Sequence, residues 1–258
     1  MSSVPWVSAL TSVNIHAHEV FPSEMLGAVL GAPPALGTKS LAKMQEDTGS
    51  GRGGIESAWN RVVAALGLHG RRLVLRAGCP NIDEIESALN LALPADYKEW
   101  LALHDGEEFT HGRVDYLPTA ETRLLPADVT VARWIDNEWF ASDDELNRSS
   151  HQDDDRIYNV VHHARRVMIA SNAFGDGDNM FLDLCPGPRG HVGQVIVAIT
   201  ECDFEVVGDS FGDFLRRLAT ALEDGLLEVR ETASAPRVVA KGTEYGRWES
   251  VLRCVEPR

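Results

Sequence analysis

The sequence predicts an α+β fold, and two changes of hydrophobic period carry that prediction. Between Ile55 and His104 apolar residues recur at helical spacing; from Val167 to Val207 they alternate or run in short β-branched stretches broken by glycine and proline. The helical spacing returns at Phe211. Helices, then a meander of strands, then a helix describe α+β with a mostly antiparallel sheet, not the strict alternation of a parallel α/β fold.

The first helix is written in Ile55, Trp59, Val62, Val63 and Leu66, which share one face, with Gly67 available to end it. A second begins after Asn81, a good N-cap, and groups Ile82, Ile85 and Leu89. In "LPADYKEWLALHDG" Pro94 suits a first helical turn, Tyr97, Trp100, Leu101 and His104 share a face, and Asp105-Gly106 supplies a stop. "LLPADVTVARWIDNEWFASDDELN" holds Val129, Ala132 and Trp134 to Trp139 at spacings that suggest a further helix. "RVMIAS", "NMFLDL" and "GQVIVAIT" then read as strands separated by "FGDGD" and "PGPRGHVG", and "EVVGDSF" adds one more. The last clear helix has Ser210 as cap, Asp213 at the capping-box position, and Phe211, Phe214, Leu215, Leu218 and Leu222 as its stripe, ended by Gly225. Beyond it, "RVVA" and "WESVLRCV" look strand-like.

A chain of 258 residues with 44% hydrophobic composition buries roughly three quarters of its unfolded surface and folds without disulfide or metal. One main domain is expected over 53–225. Residues 1–52, which end near the flexible "TGSGRGG", form an N-terminal extension, and 226–258 form a C-terminal one. No run of 18 apolar residues is present, and the apolar stretch Met25 to Gly37 contains Pro33 and Pro34 and has no Lys or Arg ahead of it. Cys79, Cys185, Cys202 and Cys254 lie far apart with no CxxC pair. A cytoplasmic protein with reduced thiols, monomeric and without a cofactor, is the expectation.

Thirty-nine acids against 24 bases give a formal charge of −15, and the acids cluster. Residues 136–155 hold Asp136, Glu138, Asp143, Asp144, Glu145, Asp153, Asp154 and Asp155 against Arg148 alone. Such a field repels nucleic acid and membrane surfaces and attracts cationic partners. Trp134, Trp139 and Phe140 lie within or beside it as aromatic anchors for a partner or as core residues.

No motif for catalysis emerges. The aspartates of "GDGDNMFLDL" resemble a calcium loop only superficially, because counting from Asp176 the fifth position is Met180 and the sixth, where that loop needs glycine, is Phe181. Turn formation accounts for more: Gly175 and Gly177 permit positive φ, and Met180, Leu182 and Leu184 must face the core, while Asp176 and Asp178 can still be presented to a partner. His104, Asp105, Glu107, Glu108 and His111 form a dense cluster, as does "HAHE" at 16–19, yet neither has the i, i+4 histidine pair of a helical zinc site. "VHHARR" at 161–166 reads as a local, partly satisfied pair and not as a base. There is no G-x-S-x-G elbow, P-loop or G-x-G-x-x-G after a strand. Catalytic residues and metal ligands are therefore expected to be absent.

With these residues assembled, residues 53–225 resemble the SUKH superfamily, which contains the fungal SMI/KNR-type cell-wall assembly regulators and many bacterial immunity proteins. The resemblance is carried by Ile55 and Trp59, by "IESALNLALPADYKEWLALHDGEE", by "FGDGDNMFLDLCPGPRGHVGQVI", and by "SFGDFLRRLATALEDG", in that order. Trp59, Pro94, Tyr97, Gly106, Gly175, Gly177, Asp183, Gly193 and Phe211 are its structural marks. The resemblance implies a bent antiparallel sheet with flanking helices and no catalysis. It also implies that bacterial members bind and inactivate toxins of polymorphic or contact-dependent systems, often nucleases. On that footing the chain is expected to neutralise a cognate basic toxin through Asp143, Asp144, Glu145, Asp153, Asp154, Asp155, Trp139, Asp176 and Asp178. The alternatives are a regulatory scaffold of the cell-wall type and an unrecognised enzyme.

Overall fold

A computed structural model describes residues 54–108, 122–137, 153–171, 179–199, 203–231, 236–242 and 247–258. The expected N-terminal extension over 1–52 lies outside them. The chain runs through α1 (Gly54–Ala65), β1 (Leu75–Ala77), α2 (Ile82–Leu89), α3 (Ala95–Leu103), β2 (His104–Glu107), β3 (Arg123–Leu124) and α4 (Ala127–Asn137). It continues through β4 (Arg166–Ser171), β5 (Met180–Asp183), β6 (Gln194–Ala198), β7 (Phe204–Gly208), α5 (Phe211–Glu223), β8 (Leu227–Arg230), β9 (Arg237–Ala240) and α6 (Trp248–Cys254). Strands β3-β4-β5-β6-β7 pair antiparallel in sequence order as a five-stranded meander, and β1-β2 and β8-β9 are two small antiparallel pairs. The fold is α+β.

The alternation of β5 and β6 decides where the core sits. Met180, Leu182, Val195 and Val197 are fully buried on the face that meets the helices, while their neighbours Phe181, Asp183, Gln194 and Ile196 point to the opposite face. Against the inner face lie Ile55, Trp59 and Val62 of α1, Tyr97, Trp100 and Leu101 of α3, and Phe211, Phe214, Leu215 and Leu218 of α5. The rings interlock: Trp59 meets Trp100 edge-on at 4.9 Å, Tyr97 meets Phe211 at 5.1 Å, and Trp100 reaches Phe211 at 5.6 Å. Each such pair adds about 0.5–1.5 kcal/mol beyond the burial of its area.

Capping ties these helices to one another. Ser210 Oγ accepts the Asp213 N–H at 3.2 Å, as its position predicts, and Asp96 of α3 accepts the Gly212 N–H at 2.8 Å. Asp213 turns back to accept from Asp209 N at 2.9 Å and from Arg217 Nε at 2.6 Å. Asn81 occupies its cap position without using its side chain for the bond.

Two expectations give way. Helix α3 stops at Leu103, and "HDGE" is strand β2, not helix followed by a stop. The reason is tertiary: Asp105 Oδ1 accepts the Ala127 N–H at 2.7 Å, so a β2 carboxylate caps α4, and Glu107 Oε1 accepts the Leu124 N–H at 3.0 Å. Between them Gly106 takes φ +68°, and a Cβ there would stand 2.4 Å from Pro126 N. Next, "WESVLRCV" is helix α6 and not a strand, because Trp248 and Leu252, four residues apart, turn into the core together. The described residues of the expected C-terminal extension, 226–258, contribute side chains to the same core. Leu227, Val238, Ala240, Trp248, Leu252 and Val255 pack there, and Arg217 Nη1 donates to Val255 O at 2.7 Å.

Candidate binding surface

The outer face of the sheet is where polar chemistry gathers. Cross-strand register places Arg166, Asp183 and Gln194 in one row on β4, β5 and β6, and Met168, Phe181, Ile196 and Val206 in the next. Arg166 and Asp183 form an ion pair at 3.8 Å with side chains only 2% and 0% exposed. Two charges so deep in the fold require further partners. Asp183 accepts from Gln194 Nε2 at 3.0 Å and Cys185 N at 3.1 Å. Arg166 donates to the Tyr158 carbonyl at 2.7 Å and to that of Val160, with its guanidinium 4.7 Å over the Phe204 ring. Burial pulls the Arg166 pKa down and the Asp183 charge pushes it back up.

Those carbonyls belong to a strap, residues 153–165, that runs across the outer face. Ile157 packs on Ile196, Phe204 and Val206, completing a small second apolar cluster. Trp134 of α4 donates its indole N–H to Ala164 O at 2.8 Å and holds the far end. The near end is zipped to the "PGPRGHVG" connection: Gly187 N donates to Arg156 O at 2.8 Å, and Gln194 Nε2 donates to the same oxygen at 2.9 Å. A Cβ on Gly190 would lie 2.1 Å from that oxygen, so the strap's backbone occupies the space a side chain would need. Gly193 takes φ +90° against the Pro94 ring, bringing two of the structural marks into contact.

The surface that results is mixed in charge. Asp153 is exposed; Asp154 binds Arg156 at 2.6 Å, and Asp155 binds Arg189 across 34 residues. The Arg156 hydrogen bond holds the Asp154 carboxyl below the usual carboxylate range. Of the acids expected to face a basic partner, three lie among the described residues, and two of these, Asp154 and Asp155, are already paired from within the chain. Beside them stand Tyr158, 49% exposed with its ring against His163, and Val192, 68% exposed. Of the two, tyrosine is the residue type enriched where proteins recognise one another.

The other predicted positions divide cleanly. Trp59, Tyr97, Asp183 and Phe211 are buried in the fold, Pro94 stands at the N-cap of α3, and Gly106 lies within β2 at positive φ. Burial, then the Asp105 charge, raise the Tyr97 pKa, so its hydroxyl stays protonated. Trp134 is engaged by the strap and is no free anchor. Asp143, Asp144, Glu145, Trp139, Phe140, Asp176, Asp178, Gly175 and Gly177 lie outside the described residues, as do His111 and "HAHE". Among the described residues no three His, Cys, Asp or Glu side chains come together as a metal site, and no helix is long and apolar enough to cross a membrane. Arg166, Gln194, Tyr158, Arg189 and Val192 were not singled out from the sequence. A signal for the first two was present: each is a polar residue at the end of an otherwise apolar strand, level with Asp183.

Comparison with known proteins decides the family. A family model described as the SMI1 / KNR4 family (SUKH-1) matches residues 79–217, more than half of the chain. The chain belongs to the SMI1 / KNR4 family. The match begins just before α2 and ends within α5, so it contains Asp183, the Arg166 row, the strap and the connection zipped to it. The chain is also 28% identical over 185 residues to a "Cell wall biosynthesis/cell cycle regulator smi1" of Schizosaccharomyces pombe, covering 65% of this chain and 35% of that protein. It is 26% identical over 222 residues to a "Glucan synthesis regulatory protein" of Neurospora crassa, covering 67% of this chain and 40% of that protein. The chain thus spans well under half the length of these SMI1 / KNR4 relatives. Their names describe regulators, not enzymes.

Proposed function

We propose that this chain acts by binding a protein partner, as a regulatory or scaffold module of the cell-wall regulator type, through the surface made by the strap and the 186–193 connection. The observation that carries the reading is family membership joined to relatives named as regulators of wall and glucan synthesis. Exposed Tyr158 and Val192 on a rim of paired charges supply the contact chemistry. The test replaces the gene in its own host by Tyr158→Ala/Val192→Ala. Folded protein that fails to restore normal glucan content and tolerance of wall-perturbing dyes supports the reading. Full restoration by the double variant, or a gene deletion that leaves the wall unchanged, overturns it.

A second reading, toxin immunity, is favoured by the formal charge of −15 and the concentration of acids at 136–155. A basic nuclease must offer positive charge where phosphate binds, and an acidic inhibitor can cover it. Co-expression with a toxin encoded beside this gene separates the two: survival with a recoverable complex supports immunity, and unaltered killing removes it.

A further inference from the structure

We propose that residues 153–165 form a pH-responsive strap triggered by His163: when its imidazole takes up a proton, the strap releases the outer face of the sheet. This concerns the chain by itself and stands whichever partner the surface receives. His163 Nδ1 accepts the Arg165 N–H at 3.0 Å, so that nitrogen is unprotonated and the bond exists only for the neutral ring. The ring also packs against Tyr158 at 5.9 Å, while its own carbonyl accepts the Arg166 N–H at 2.9 Å. One residue therefore joins the middle of the strap to its anchor on β4.

Protonation attacks this joint twice. Nδ1 changes from acceptor to donor and faces the Arg165 N–H, and a positive ring appears near the charges of Arg165 and Arg166. The charged or titratable groups acting on it are Arg165 beside it, Arg166 on β4 and Asp183 on β5, with Tyr158 in ring contact and His162 adjacent in sequence. Only Asp183 favours the charged ring, and it is already engaged by Arg166, Gln194 and Cys185. Burial and Arg166 outweigh it and push the His163 pKa below the ordinary 6.5. The sign follows: the open strap binds the proton more readily than the closed one, so closure is complete above pH 6.5 and is lost as pH falls through the depressed value. Release would expose Ile196, Phe204 and Val206, which Ile157 helps to cover.

Hydrogen exchange followed by mass spectrometry on the full chain, corrected for intrinsic rates, tests the proposal. Protection of strap amides, such as the Ile157 N–H held by Asp154 O and the Val160 N–H held by Tyr158 O, should fall as pH drops from about 7.5 to 5 while α5 stays protected. The opening constant should rise by up to about tenfold per pH unit, the limit for one proton. Burial and Arg166 lower the His162 pKa as well, so the comparison is made in a His162→Asn background. That variant alone should retain a response, and adding His163→Asn, which places a non-titrating oxygen where Nδ1 accepts, should flatten it. A response that survives in the His162→Asn/His163→Asn double variant, or strap and α5 amides that open in step, overturns the proposal. Should His163→Asn not fold, NMR titration of the wild-type His163 ring decides: a midpoint below 6.5 that tracks the strap amides supports it, and a midpoint at or above 6.5 overturns it.

Discussion

The two faces of the five-stranded sheet solve opposite problems. The inner face is almost wholly hydrocarbon and aromatic, and its fit depends on shape: Trp59, Trp100 and Phe211 nest between α1, α3 and α5. The outer face buries an arginine, a carboxylate and an amide in one row and satisfies them with carbonyls of an irregular segment. Hydrophobic packing is non-directional and adds up with area, whereas each buried polar group demands a particular partner. The inner face therefore supplies most of the stability, and the outer face dictates which backbone lies over it.

Several substitutions would break or sharpen that contrast. The largest loss is expected from Trp100→Ala, which empties the centre of the inner face and should lower unfolding free energy by about 3–5 kcal/mol in urea titration. Arg166→Ala should come close, at about 3–5 kcal/mol, because it strands the Asp183 charge and frees the strap carbonyls. The contrast sharpens in the double variant Arg166→Met/Asp183→Leu: it should recover much of the global stability while strap amides still exchange quickly. Equal loss in single and double variants would refute the directional account of the outer face. Asp105→Ala removes the side-chain cap of α4 and should cost about 0.5–2 kcal/mol, read from the same titration.

The pH dependence lies lower on the scale. Burial depresses the pKa of His104, set between Trp59 and Trp100, as burial and Arg166 depress that of His163. Depressed imidazoles leave the unfolded chain binding more protons, so urea midpoints should hold above pH 6.5 and fall below it. A flat profile from pH 7.5 to 5 would count against both assignments. The smallest effect is expected from Asp155→Asn, which severs an exposed pair with Arg189: the melting temperature should stay within error, while association with a basic partner should lose some of its salt dependence.

Much of the inner face was legible in advance. The spacing of Ile55, Trp59 and Val62, the alternation in "NMFLDL", and the Ser210 cap ahead of an apolar stripe are properties of neighbours in sequence, and local geometry turns each into an element of definite type. "HDGE" and "WESVLRCV" were misread because their local preferences are weak and the deciding contacts come from elsewhere, from the start of α4 and from the core beneath α6. The candidate surface was less legible still. Asp154 and Asp155 looked like free acids in a run of acids, yet the partner of Asp155 lies 34 residues onward. The Arg166, Asp183 and Gln194 row exists only once register brings three strand ends level. The sequence by itself determined the period, and hence the type, of most elements; which carboxylate meets which cation was left to the tertiary structure, because a charge is read at the distance where folding places its partner and not at its spacing along the chain.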